Sequence, residues 1–196
     1  MSTKNAKVTI FNKFNNVVTK TIPVPTTPIK ALRVDTMVYV LHRDTPIISL
    51  IDASKEKLID TISLDYPADD FVLVKNQIYI IHKKANKVSV IDAKSVAVKK
   101  TVNTTISVGE GPVSATVIDK NLYINNFVGN SISVIDTTTN SVVKTISVQP
   151  GPVSSTIIGN RLYINSPDSK SISVLYTSKP IFYGLTSQTP NGVYGP

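Results

Sequence analysis

Three features of the sequence predict an all-β fold, a small β-propeller of about 40-residue, four-stranded blades. The chain repeats itself, with "NLYINNFVGNSISVID" from Asn121 echoed by "QIYIIHKKANKVSVID" from Gln77, "MVYVLHRDTPIISLID" from Met37 and "RLYINSPDSKSISVLY" from Arg161. Each repeat holds short β-branched runs with no 3.6-residue apolar period. Asn, Asp, Gly, Pro and Lys separate the runs, as turns require.

The register follows from Tyr39, Tyr79, Tyr123 and Tyr163, spaced by 40, 44 and 40 residues. The next apolar runs begin at Ile48, Val88, Ile132 and Ile172, and a further copy begins at Val8. A Thr-Ile-Ser/Pro-Val/Leu segment recurs at Thr21, Thr61, Thr105 and Thr145. The one irregularity is about four extra residues between Asp92 and Thr105. A period near 40 with several short strands belongs to propellers rather than to helical arrays. In the third repeat the expected strands are 113–118, 122–125, 132–135 and 142–148, separated by "DKN", "NFVGN" and "DTTTN" and followed by "VQPGP". Four antiparallel strands in that length make one blade.

"LYINN", "SISVIDTTTNSVVKTISV" and "GPVSATVI" resemble the YVTN family of β-propeller repeats, from about Lys7 to about Thr177. The resemblance implies a fold far more strongly than a function, because propellers host unrelated activities. The family tetrad reads "YVLH", "YIIH", "YINN" and "YINS" here, and the last repeat loses its Asp in "SVLY".

One domain over 1–196 is expected, with residues 1–6 flexible. The chain starts with the last two strands of a blade, and "TPNGVYGP" at Thr189–Pro196 resembles the start of an inner strand. Terminal strands sharing one blade give five blades and no exposed sheet edge. The alternative is an incomplete ring closed by a second copy. A monomer is the expected state.

The chain has no cysteine, which excludes disulfides, thiolate metal sites and a cysteine nucleophile. "MSTKNAKVTIF" lacks an apolar signal region and no run reaches transmembrane length. The expected location is therefore intracellular or inside a particle such as a virion, without membrane contact. Eighteen of the 21 basic residues are Lys, a bias that fits an AT-rich coding genome such as many giant viruses have.

His42 and His82 share one repeat position with Asn126 and Ser166. That interchange suits a polar residue ending the second strand and bonding a turn. Equivalent positions on neighbouring sheets lie roughly 10 Å apart, too far for zinc bonds of about 2 Å, so no metal site is expected. Asp52, Asp92 and Asp136 recur likewise and read as Asx turns, since catalysis needs different groups converging on one point. "GEGP" and "QPGP" lack the Lys-Ser/Thr ending and helix of a phosphate loop, and read as connections between blades. The four repeat tyrosines read as packing between blades.

The charge points further. Net charge is +8 with a pI near 9.6. Arg43, Lys83, Lys84, Lys87 and Lys170 fall in the hairpins joining second to third strands, which emerge on one face of a propeller. Basic residues gathered on one face are the footprint of a polyanion binder. Asp65, Asp69, Asp70 and Glu110 dilute that face, and Lys55, Lys57, Lys94, Lys99, Lys100 and Lys179 lie on the other. The expected function is a non-catalytic module binding nucleic acid, DNA first, or another polyanion without base readout. The alternative is a protein–protein scaffold. No catalytic residue and no cofactor are expected.

Overall fold

The computed structural model describes residues 6–94 and 102–177. Two strands, β1 (Lys7–Phe11) and β2 (Val18–Pro23), form a first hairpin. Three four-stranded meanders follow. They are β3 (Pro28–Val34), β4 (Met37–His42), β5 (Ile47–Asp52) and β6 (Lys57–Ser63), then β7 (Asp70–Val74), β8 (Gln77–His82), β9 (Lys87–Asp92) and β10 (Thr104–Ser107). The third contains β11 (Pro112–Ile118), β12 (Asn121–Asn126), β13 (Ser131–Asp136) and β14 (Ser141–Ser147). The last described sheet has β15 (Ser154–Ile158), β16 (Arg161–Ser166) and β17 (Ser171–Tyr176). Every pairing is antiparallel between chain neighbours, and the strands expected in the third repeat match β11–β14 to within a residue or so.

The repeat is visible in the backbone as well as in the side chains. Asp35, Lys75, Asp119 and Gly159 all adopt positive φ, and each opens the two-residue turn between the first and second strands of its sheet. Register shifts recur at Pro28/Lys30 and Pro112/Ser114, and again at Leu50/Ile51 and Val134/Ile135. A bulge adds local twist to an antiparallel pair, so equivalent sheets acquire the same twist and stack alike.

Side chains alternate across each strand, and both faces of the middle sheets are buried. Tyr39, Leu41, Ile48 and Leu50 pack against Phe71, Ile78 and Ile80 of the following sheet. Tyr79, Val88 and Val90 meet Leu122, Ile124 and Ile135, and Tyr123, Ile132 and Val134 meet Leu162 and Ile164. Ile22 and Val24 of the first hairpin lie against Val40 and Ile51. Inner strands β3, β7, β11 and β15 are successive neighbours. This radial succession of face-packed meanders is a propeller arrangement. The described sheets follow one another without closing. The blade shared by the two ends, expected to include Thr189–Pro196, involves residues outside those described. No helix among the described residues is long and apolar enough to cross a membrane.

Candidate functional site

The hairpins β4–β5, β8–β9, β12–β13 and β16–β17 emerge on one face, beside the connections that lead from each outer strand to the next inner strand. Polar residues beneath them hold those connections in place. His82 Nδ1 lies 3.0 Å from the Pro67 carbonyl oxygen and its Nε2 lies 2.9 Å from Ser89 Oγ. His42 repeats the arrangement with Thr26 O and Ser49 Oγ, both at 2.8 Å. A carbonyl only accepts, so Nδ1 carries the proton and Nε2 accepts from the serine hydroxyl. Both imidazoles are fully buried, and burial lowers their pKa values below 6.5. Each ring nitrogen thus has a partner within its own repeat, a structural role consistent with the sequence reading. In the third repeat Asn126 replaces the imidazole and donates to Ser131 Oγ and Ser133 Oγ. Gly109 must lack a side chain there, because a Cβ would stand 2.5 Å from Asn126 Nδ2.

"GEGP" and "QPGP" connect β10 to β11 and β14 to β15, as the sequence suggests. Asn86 and Asn130, at left-handed hairpin positions, accept hydrogen bonds through Oδ1 from the amides of Gly111 and Gly151 in the following connection. These bonds tie each hairpin to the next sheet.

Of the five predicted polyanion contacts, the structure brings three together. Exposed Arg43 and Lys84, with Asp44 and Asp69, border a cavity of about 430 Å³ between the first and second meanders. Asp69 and Lys84 also border an adjoining cavity of about 470 Å³, together with Lys83, Glu110 and Val128. Lys83 Nζ lies 5.4 Å from the Phe127 ring centroid, and the Lys83 backbone amide donates to Asp69. Lys87 turns aside, donating to the Tyr66 hydroxyl at 3.2 Å with its Nζ over that ring. Lys170 lies two sheets further along, in the β16–β17 hairpin. Sequence reasoning missed Asp44 as a member of the site, and missed Phe127 and Tyr66 as lysine partners. The signal for Asp44 was its place directly after Arg43 in the same hairpin.

The opposite face holds the repeated aspartates. Asp52 Oδ1 accepts from the amides of Ser54 and Lys55 and from the Ser54 hydroxyl. Those bonds, the Ser54 hydroxyl foremost, hold its carboxyl down at about 2. Asp136 is lowered as well, chiefly by the Thr138 hydroxyl and then by Lys120. Asp92 accepts from the Lys94 amide. These are Asx turns.

No family model matches the chain, and no curated protein matches it. Solved structures do. BamB from Moraxella catarrhalis superposes with a TM-score of 0.68 at 14% identity, over 89% of this chain and 53% of that one. Dihydro-heme d1 dehydrogenase NirN gives 0.68 at 11% identity, over 88% and 43%. The computationally designed Ika8 protein gives 0.68 at 11% identity, over 88% and 53%. The chain thus spans about half the length of the structures it matches. At such identities the likeness shows the fold alone, and that fold is a β-propeller arrangement.

Proposed function

We propose that this chain is a non-catalytic propeller module whose hairpin face binds a polyanion, with the nucleic-acid backbone as ligand class. The observation that carries this reading is the convergence of Arg43, Lys83 and Lys84 on two adjoining surface cavities in a +8 chain. Contacts of this type neutralise phosphates without reading bases, and no α-helix among the described residues stands on that face to enter the major groove. The YVTN-type repeat is proposed as its family on the motifs quoted above.

Filter binding of duplex DNA at two salt concentrations tests the proposal. Affinity should fall as salt rises, by close to one logarithmic unit of affinity per logarithmic unit of salt for each phosphate contact. Failure to retain DNA at low ionic strength overturns it. A protein partner is the second reading, favoured by Asp44, Asp69 and Glu110 interleaved with the basic groups. Capture of one protein that resists added salt supports that reading instead.

A further inference from the structure

The two cavities on the hairpin face carry more negative charge than phosphate binding explains. Arg43 and Lys84 border the first with Asp44 and Asp69, and Lys83 and Lys84 border the second with Asp69 and Glu110. A bare phosphate chain would meet as many like charges there as opposite ones, and like charges in apposition oppose binding. Asp69 is partly committed, since it accepts from the Lys83 amide. Asp44 and Glu110 are exposed, and neither forms an ion pair with a described residue although cations border the same cavities. An ionised carboxylate only accepts hydrogen bonds, so both present acceptors that a phosphate cannot use.

The walls between these charges include apolar surface, from Ile29 and Pro67 in the first cavity and Val128 in the second. Volumes of about 430 and 470 Å³ fall within the small-ligand range of about 300–1,000 Å³. Such spaces suit a single flat ring rather than the side of a double helix. The cavities also lie one repeat apart. The first is bordered by the β4–β5 and β8–β9 hairpins, the second by the β8–β9 and β12–β13 hairpins. Packed sheets stand roughly 10 Å apart, whereas stacked bases along a duplex strand follow at about 3.4 Å. Neighbouring bases reach neighbouring cavities only when unstacked.

We propose that this face takes single-stranded nucleic acid, with an unpaired base entering each cavity and the phosphates between them lying on Arg43, Lys83 and Lys84. The inference rests on the polyanion reading above and specifies the form of that ligand. The Watson–Crick edge of an unpaired base carries amino or imino donors. Those donors meet Asp44 in the first cavity and Glu110 in the second, while the apolar walls receive the base faces. In a duplex the same edges are paired and enclosed within the stack, leaving the carboxylates only phosphates to face.

Fluorescence anisotropy with a labelled mixed-sequence DNA oligonucleotide, alone and annealed to its complement, tests the inference at one low salt concentration. Wild-type chain should bind the single strand about tenfold tighter or more, because each carboxylate–base bond is charge-assisted. The same strand made as RNA should also bind above the duplex, and the tighter of the two identifies the source. Asp44→Asn/Glu110→Ala should weaken single-strand binding by about tenfold, yet leave duplex binding unchanged or tighter, because carboxylates only repel phosphates. Asp44 sits at φ 55, a conformation Asn tolerates, and the wild-type comparison stands without any variant. Equal affinity for the two forms overturns the inference and leaves the polyanion reading intact. A double variant that binds the single strand more tightly has the same consequence. Retention of neither form overturns the polyanion reading itself, and the inference with it.

Discussion

Tyr39 in β4 donates a 2.7 Å hydrogen bond from its hydroxyl to the carbonyl oxygen of Ala93, just past β9 in the next sheet. Both residues are buried, at 1% and 7% exposure. Burial, helped by Asp92 and Asp35, pushes the phenol up to about 12, so it remains a donor at any ordinary pH. Tyr79 makes the matching bridge one sheet later, to Asn140 Oδ1 at 2.6 Å. Tyr39 and Tyr79 thus join sheets through ring packing and a polar tip together.

Replacing Tyr39 by Phe keeps the ring and orphans the Ala93 carbonyl. A buried acceptor left unpaired costs about 1–3 kcal/mol, so the urea midpoint should fall with little change in m-value. Tyr163, on the open face of β16, should tolerate the same change within about 0.5 kcal/mol. Equal losses at both positions would show that the inter-sheet bond contributes nothing.

The histidines make stability depend on pH. Their folded pKa values lie below 6.5 through burial, so below that pH the unfolded chain binds more protons. Their stabilising contribution should be complete above about pH 6.5 and decline as pH falls towards the folded values, by at most about 1.4 kcal/mol per pH unit for each ring. Asp65 and Asp69 face His82 and moderate its shift. Chemical denaturation between pH 7.5 and pH 5 (a range set by the His reference value of about 6.5) should show a shallower slope for His42→Asn/His82→Asn than for wild type.

Glycines at positive φ separate by what surrounds them. Gly151, at φ 74, would place a Cβ 2.7 Å from the Asp168 side chain, while Gly159, at φ 59, has open space. Gly151→Ala should therefore cost more than Gly159→Ala, whose penalty is backbone strain of about 1–2 kcal/mol. Gly159→Asp should come close to neutral, because Asp119 occupies that position in the preceding repeat. Thermal melts of the three variants decide the ranking.

Charge reversals on the hairpin face should separate site from surface. Arg43→Glu and Lys84→Glu should weaken DNA binding and flatten its salt slope by about one unit per lost contact or slightly less. Lys170→Glu, two sheets away, should do less. Melting temperatures should barely change, since exposed charges contribute about 1 kcal/mol or less.

The amino-acid sequence by itself determined the strands, their order and the turn roles of Asp52, Asp92 and Asp136. These depend on residues a few positions apart: alternation within a strand, a side chain bonding the amide two residues on, a left-handed turn recurring with the repeat. The repeat period also placed Tyr39 and Tyr79 between sheets. Which lysines are available was decided only by the tertiary structure. Lys87 is turned aside to Tyr66 while Lys83 and Lys84 border a shared cavity, across separations that packing of whole sheets fixes. The same holds for the open face of β15–β17. Ile172 and Val174 read like Ile132 and Val134 in sequence, and among the described residues a sheet lies only upon the latter pair.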